Sequence, residues 1–276
     1  MNHSRAVLVA MLLIMGLAYP SSVLGQAPVD DPDLDLVPLQ PDFTVITLPT
    51  ALRLPRFKSS FRVTHRFGRP LGQGDFGDLA SDLFGLDSGA QIGLEYRFGI
   101  MSGTQLGIHR TSDRTTQFLA QRDLMQERDG RPVNVAFVAA IDGTNNFRDS
   151  YSPALGVVIS RSLAPVATVF FEPMWVNNTN PLPSELVDDN DAVLLGVGTR
   201  IRIRPTVYLV GEFIPRVAGH DPGAHQGAFG IEKRAGGHVF QLNFSNGLGT
   251  TFGQIARGGS ADDDWFLGFN ISRKFF

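Results

Sequence analysis

The stretch FRVTHRFGRPLGQGDFGDLASDLFGLDSGAQIGLEYRF, residues 61–98, decides the fold. Apolar side chains stand at every second position from 92 to 98, and glycine or charged side chains such as Glu95 and Arg97 fill the positions between them. A period of two places these two sets on opposite faces of a β-strand. Residues 61–67 alternate in the same way. Each strand therefore has one apolar face and one charged face that needs water.

Such strands are stable in a membrane if the apolar face contacts lipid and the charged face lines a water-filled lumen. The rest of the chain continues the pattern, with about twelve strand candidates bounded by Gly, Pro, Asn or Asp. They lie near residues 61–67, 91–98, 104–111, 115–124, 133–141, 153–161, 166–176, 192–203, 206–217, 228–234, 238–246 and 265–275. The sequence predicts an all-β, antiparallel up-and-down transmembrane β-barrel of about 12 strands, within a range of about 10 to 14. A soluble barrel would instead bury its apolar faces inward and leave the charges outside.

Connections between the predicted strands alternate in length. The long ones cover residues 68–90, 142–152, 177–191, 218–227 and 247–264, and the short ones cover 99–103, 162–165, 204–205 and 235–237. Barrels in the outer membrane of Gram-negative bacteria have long extracellular loops and short periplasmic turns, and we expect that sidedness here. Ser112–Arg114 is the exception, because it is short where a long loop is expected.

A glycine recurs in the middle of several predicted strands, as at Gly93, Gly196 and Gly268. A strand glycine allows a curved sheet to close, or a neighbouring side chain to cross it. Both roles stay open at these positions.

The composition excludes several classes of site. Of the 276 residues, 43% are apolar and 18% are charged, as in ordinary folded proteins. A net charge of −3, without any Lys/Arg-rich run, predicts no nucleic-acid partner. The absence of cysteine excludes disulfides, thiol catalysis and Cys-ligated metal sites, and no other spacing predicts a cofactor.

The N-terminus is typical of a secretory signal peptide that is removed on export. A polar start containing Arg5 precedes an apolar core at 6–18, and Gly25 suits cleavage before Gln26. The core is shorter than the roughly 20 apolar residues that a membrane helix requires. The predicted organisation is a signal peptide at 1–25, an acidic Pro-rich periplasmic tail or linker at 26–58, and an outer-membrane barrel at 59–276.

The predicted tail combines aspartates with prolines, a mixture that disfavours both helices and ladder pairing. We therefore expect a solvated linker, with residues 48–57 resting against the barrel mouth.

The chain resembles an uncharacterised bacterial family known as domain of unknown function 5777, a membrane-bound β-barrel. The resemblance spans most of residues 48–276. It is carried by THRFGRPLGQGDFGDLASDLFGLDSGAQIGLEYRFG at 64–99 and by GGHVFQLNFSNGLGTTFGQ at 236–254 with WFLGFNISRKF at 265–275. It implies the barrel and its location but no activity, since the family has none assigned.

Strand parity selects the side chains that should line the lumen, because charges facing lipid would each cost about 2–4 kcal/mol near mid-bilayer. These candidates are Arg62, Arg66, Glu95, Arg97, Glu172, Arg200, Arg202, Glu212, Glu232, Arg234 and Lys274. Two interpretations stay open: the charges line a narrow, porin-like channel for small polar or anionic solutes, or they pair and fill a non-conducting structural or docking barrel. The expected partners are outer-membrane lipid, the barrel-assembly machinery during biogenesis, and a periplasmic partner in the docking case.

Enzymatic and metal chemistry have weaker support. An outer-membrane lipid-modifying enzyme would need a nucleophile and a base, yet His109 and Ser112 differ in parity and should point to opposite faces. The acidic runs at 188–191 and 262–264 lack the alternating oxygen spacing of a calcium loop. Residues 75–85 could form a short helix that either constricts the barrel mouth or caps it.

Overall fold

The structure is a computed structural model that describes residues 40–83, 85, 89–182, 186 and 189–276. All of these residues belong to one compact unit, Asp33–Phe276. The predicted signal peptide and residues 26–39 of the predicted tail lie outside the described residues.

Strands dominate the described chain. They are β1 Ser59–Pro70, β2 Ala90–Met101, β3 Thr104–Thr111, β4 Thr116–Met125, β5 Asn134–Gly143, β6 Asp149–Leu163, β7 Ala167–Asn177, β8 Asp191–Arg204, β9 Val207–Ile214, β10 Arg216–Gly219, β11 Gln226–Ala235, β12 His238–Ser245 and β13 Phe266–Phe275. The helical segments are α1 Phe76–Ser81, α2 Thr144–Phe147 and α3 Phe252–Arg257, with 3-10 turns at Glu127–Asp129 and Ala164–Val166. None of the helices in this part of the chain is long and apolar enough to cross a membrane.

The strands form one antiparallel, closed barrel. Chain neighbours pair along a 13-stranded sheet, β13 returns to β1, and β8 pairs with β9 to complete the circle. β10 continues β9 beyond Pro215 and pairs with the same neighbour, β8. Because β9 and β10 form one staggered strand of the wall, the barrel has twelve wall positions. This confirms the predicted fold class.

The two faces of the wall have opposite chemistry. On β2, Leu94 and Tyr96 are 48% and 44% exposed on the outer surface, whereas Glu95 and Arg97 are buried inside. The outer surface is apolar around the barrel, but the interior is mixed. Inward side chains such as Arg62, Glu95 and Gln241 are polar, whereas on β5–β8 many inward side chains, such as Val138, Phe170 and Leu194, are apolar. The charges thus face inward, opposite to the arrangement of a soluble barrel.

The longest connections lie at one end of the barrel, as the sequence predicts. Two connections predicted to be long, at 142–152 and 218–227, are instead short: they cover 144–148 and 220–225 and are shorter than 126–133 at the opposite end. One end carries the short connections 102–103, 164–166, 205–206 and 236–237, together with 126–133, and is called here the short-turn end. The other carries 71–89, 178–190 and 246–265 and is called the long-loop end. The short connection after β3 also lies at the long-loop end.

Candidate functional site

Residues 40–54, called here the inner segment, lie inside the barrel. Val45 is fully buried and Leu48 is 3% exposed. The segment turns back on itself, because the N–H of Val45 donates to the carbonyl of Leu48 at 2.7 Å and a bridge pairs Thr44 with Pro49. The prediction of a solvated linker is therefore wrong for these residues, since the lumen supplies both an apolar environment and backbone partners.

The tip of the inner segment is centred on Glu212 of β9. Its carboxylate accepts the N–H groups of Ile46 at 3.0 Å, Thr47 at 2.9 Å and Leu48 at 3.1 Å. Thr47 also donates its hydroxyl to the same carboxylate. Successive N–H groups that converge on one point form an anion site in the backbone. Here the barrel wall supplies the anion, so charge-assisted hydrogen bonds join the segment to the wall.

Other wall side chains hold the segment by its backbone carbonyls. Their nitrogen atoms donate as follows: Arg200 to Thr44 at 2.8 Å, Gln241 to Val45 at 2.7 Å, Arg62 and Asn270 (3.2 Å) to Ile46, Gln121 to Thr50 at 2.9 Å, Gln126 to Ala51 at 2.9 Å, and Gln105 to Leu52 at 3.3 Å. These contacts recognise a backbone and not particular side chains, so another hydrogen-bonding occupant could satisfy the same wall groups.

Five of the eleven charged candidates from the sequence form two ion-paired networks. Arg62 lies 3.3 Å from Glu95, which also pairs with Arg97. Across the lumen, Arg200 Nε lies 3.0 Å from the carboxylate of Glu232. Each network also contacts the inner segment, through Arg62 in one case and Arg200 in the other.

The eleven lumen candidates differ in how deeply they lie. Arg202 and Arg234 are partly exposed near the short-turn end. The buried ones are Arg62, Arg66, Glu95, Arg97, Glu172, Arg200, Glu212, Glu232 and Lys274. Arg97 and Lys274 also approach the ring of Phe43 in the inner segment, at 5.9 and 5.7 Å from its centroid.

Glu172 differs from the other carboxylates. It is 1% exposed, and neither of its oxygens has a hydrogen-bond partner within the described residues. Leu48 lies over the same region, because a Cβ added at Gly196 would stand 2.7 Å from Leu48 Cδ2 and 3.2 Å from Glu172 Cβ. Of the two roles considered for a mid-strand glycine, Gly196 shows the crossing by neighbouring side chains, and one of these comes from the inner segment.

The inner segment leaves the barrel at the short-turn end. Arg53 pairs there with Asp123 at 2.5 Å and with Asp129 at 3.1 Å. The N–H of Phe57 donates to the carbonyl of Gly99 at 2.7 Å, just before β1 begins. The segment is thus tied both at its tip and at its exit.

The opposite end of the lumen is covered by α3 in the last long loop. Its own residues Phe252 and Ile255 are buried. Asp142, on β5, accepts the N–H of Gly253 at 2.9 Å, the side-chain amide of Gln117 at 2.7 Å and the hydroxyl of Thr251. This element was not predicted, although the Thr-x-x-Gln pattern from 251 to 254 is the signature of a capping box, which the structure contains.

A second link to this cap starts from the turn after β3. Gln254 donates to the carboxylate of Asp113 at 2.8 Å, and Thr115 donates its N–H at 3.0 Å. Burial alone would raise the pKa of Asp113, but hydrogen bonds, the largest from Thr111, hold it below its ordinary value. The ionised carboxylate therefore connects the cap to the wall.

The first long loop forms the predicted short helix but not the constriction that was one of its two expected roles. α1 begins after Asp75, which caps it, and none of its residues is buried. Phe76 is 75% exposed and Leu83 is 60% exposed. The helix exists, but it does not enter the lumen, because α3 and the inner segment already occupy the interior.

Residues considered for catalysis or metal binding are not assembled into a site. His109 is buried inside the wall, whereas Ser112 is exposed at the turn. Within the described ranges, no group of three or more His, Asp or Glu side chains could hold a metal ion.

Comparison with known proteins addresses the fold. A family model described as a membrane-bound β-barrel domain, DUF5777, matches residues 42–275. No curated protein sequence matches the chain. Among solved structures, the NanC porin shares 8% identity over 79% of this chain and 99% of its own, with a TM-score of 0.51. The outer-membrane protein Omp33 of Acinetobacter baumannii shares 9% identity over 79% of this chain and 98% of its own, with a TM-score of 0.48.

At such low identity the likeness to the NanC porin shows the fold alone. The family match is of another kind, because it covers almost the whole described chain, including the inner segment from residue 42 onward. The chain therefore belongs to the DUF5777 family of membrane-bound β-barrel domains.

Proposed function

We propose that this protein is an outer-membrane channel barrel whose lumen is closed by its own inner segment and by the α3 cap at the long-loop end, and that small polar or anionic solutes pass when both are displaced. The observation that carries this proposal is the chemistry of the closure. The wall holds the segment through charged and amide side chains that contact its backbone, as Arg200 and Gln241 do. A hydrogen bond from a neutral side chain contributes only about 0.5–1.5 kcal/mol net, and one from a charged side chain about 1.5–3 kcal/mol, because water or a polar solute can replace it.

A second candidate, a non-conducting structural or docking barrel, is favoured by a different observation. Arg62, Glu95 and Arg97 are paired with one another, and Val45 and Ile46 are fully buried. A permanently filled interior would have this character, because paired charges and buried apolar groups stabilise a fixed arrangement. The two candidates differ in whether the inner segment can move.

A disulfide between segment and wall separates them. The chain has no cysteine, so an introduced pair would be unambiguous. A Cβ added at Gly198 would lie 3.5 Å from Val45 Cγ2, so the two positions are in contact and are chosen for the cysteine pair. The variant Val45→Cys/Gly198→Cys would be tested in planar bilayers, with voltage and sub-denaturing urea used to displace the segment.

Under those conditions we expect ion conductance from the reduced double variant and from the wild-type barrel, and little from the oxidised form. Each single-cysteine variant, treated with the same oxidant, is the control and should conduct as the wild type does. Absence of current from folded, reduced protein, and also from a variant lacking residues 40–54, would establish the non-conducting barrel. Equal currents from oxidised and reduced forms would show that the segment is not the gate.

A further inference from the structure

Arg66, on β1, is a buried cation with a free edge. It is 1% exposed. Its Nη1 donates to Asn270 Oδ1 at 2.9 Å and to the carbonyl of His65 at 3.0 Å. Its Nε and Nη2 have no hydrogen-bond partner, and no carboxylate pairs with it, among the residues that the structure describes.

The two free nitrogens form one recognition surface. In a planar guanidinium, the Nε–H and one Nη–H on the same side point outward in parallel, at the spacing of two oxygens of a carboxylate or phosphate. Nη1, the nitrogen on the opposite side, is the one already engaged. The two-pronged edge of Arg66 is therefore buried and has no hydrogen-bond partner among the described residues.

The barrel wall makes room for this orientation. A Cβ added at Gly268 of β13 would lie 2.7 Å from Arg66 Cδ and 2.8 Å from Asn243 Oδ1. Only the absence of a side chain at Gly268 lets Arg66 extend across β13. Thr64, two residues earlier on the same face, is fully buried, and its hydroxyl also has no hydrogen-bond partner within the described chain.

The surrounding charges do not neutralise Arg66. The positive charge of Arg62 repels that of Arg66, and the negative charge that attracts Arg66 is on Glu212. The Glu212 carboxylate already accepts the N–H groups of Ile46, Thr47 and Leu48 and the hydroxyl of Thr47. A buried cation without a dedicated counter-ion is strongly unfavourable, so this position favours an anion from solution.

We propose that the free edge of Arg66 binds a small oxyanion, a carboxylate or a phosphate, inside the barrel. Arg66 lies four residues, or about 13 Å, farther along β1 than Arg62, toward the long-loop end. The anion would therefore sit beyond the tip of the inner segment. The part that this site plays in transport rests on the proposed function, whereas the binding itself does not.

The test measures stabilisation by a bound ligand. Folded barrel in detergent would be heated with acetate or inorganic phosphate, and with chloride at equal ionic strength as the reference. The readout is the temperature at which the fast-migrating folded form disappears on a gel. A ligand that binds only the folded state raises this temperature as its concentration increases. We expect a rise for both oxyanions beyond that for chloride.

Variants assign the effect to Arg66. Arg66→Gln should abolish the oxyanion-specific rise. Arg66→Lys retains the charge but loses the paired donors, so its affinity for the oxyanions should fall at least tenfold while its response to chloride remains. Arg161→Gln, at an exposed position, should respond as the wild type does. Because the gel reports folding directly, a variant that does not fold is recognised, and the Lys variant then decides the result.

Two further measurements are needed. One distinguishes free phosphate from a phospholipid headgroup, and the other distinguishes failure of the anion site from failure of the proposed channel function. Phospholipid micelles at the same phosphate concentration should give no rise, since a headgroup outside the wall cannot reach Arg66. A rise with micelles alone would instead indicate binding on the outer surface. Absence of an oxyanion-specific rise in the wild type, or its persistence in Arg66→Gln, would overturn the site whatever the conductance of Val45→Cys/Gly198→Cys.

Discussion

The carboxylate of Glu212 on β9 accepts both the backbone N–H and the side-chain hydroxyl of Thr47 at the tip of the inner segment. The two residues are separated by 165 positions in the chain. This contact joins the closing element to the wall near the middle of the barrel, and it shows how the lumen stabilises a segment whose sequence does not itself predict order.

Glu212→Gln should loosen the inner segment. The amide has only one accepting oxygen, and its NH₂ group would face N–H donors, so we expect a loss of about 2 kcal/mol or more. The loosening of the inner segment would be measured as faster protease cleavage within residues 40–54 and as a lower unfolding temperature. Glu172→Gln is the matched control, because it removes a buried carboxylate that has no hydrogen-bond partner among the described residues, and it should be neutral or stabilising. Equal effects of the two changes would contradict the role of Glu212.

Gly99→Ala should disturb the exit of the inner segment at the short-turn end. A Cβ there would lie 2.2 Å from the carbonyl oxygen of Pro55, and backbone must move to relieve it. We expect a destabilisation of about 1–3 kcal/mol. Gly211→Ala is the control, since the nearest atom to its added Cβ is 3.8 Å away. Urea unfolding followed by tryptophan fluorescence would compare them, and similar midpoints would contradict the contact.

Charge reversal should act very differently at Arg200 and Arg202. Arg200 is fully buried and holds both Glu232 and Thr44, so Arg200→Glu would leave like charges together and should cost about 3–5 kcal/mol. Arg202 is partly exposed, so Arg202→Glu should change stability little. The fraction of folded, heat-modifiable protein measures both. If Arg200→Glu folds normally, the buried network does not support the barrel.

The cap over the long-loop end should weaken in acid. Because hydrogen bonds hold the pKa of Asp113 below its ordinary value, its contribution is complete above about pH 4 and is lost as the pH falls through the lowered pKa. We expect protease cleavage of residues 246–265 to accelerate in that range. Asp113→Asn should already be cleaved faster at neutral pH and should show a smaller change on acidification. A cleavage rate that does not depend on pH would exclude this link.

Loop length predicts which end of the barrel faces the cell exterior. A cysteine placed at Asp263, in the last long loop, should react with an impermeant reagent in intact cells. A cysteine placed at Gly236, in a short turn, should react only after the outer membrane is opened. Recovery of the protein with the outer membrane is the accompanying measurement. Labelling of Gly236→Cys in intact cells would reverse the orientation.

Much of the wall follows from local pattern. An alternation such as Leu94, Glu95, Tyr96, Arg97 predicts a strand and assigns its faces, because successive strand side chains must point to opposite sides and a charge against lipid is costly. A glycine in the middle of a strand likewise indicates a place where a neighbouring side chain can cross. Gly268 is crossed by Arg66, because a residue without a side chain leaves space on the inner face.

The positions of the cap and of the inner segment could not be predicted from local pattern. The Thr-x-x-Gln signature from 251 to 254 could have indicated a short helix, but a helix signal does not say that the helix covers a lumen. The apolar residues Val45, Ile46 and Leu48 follow a stretch of aspartates and prolines, a composition that favours a solvated chain, so their burial could not be predicted from local pattern.

The sequence by itself determined the strands, their two faces and the set of inward charges, because those depend on spacing within about ten residues. Only the tertiary structure decided that the lumen is filled. The donors and acceptors that hold residues 40–54 come from strands on every side of the barrel, including Arg62, Arg200 and Glu212. They converge only when the sheet closes, since closure turns a flat charged face into an enclosed space where an unpaired backbone group would be costly.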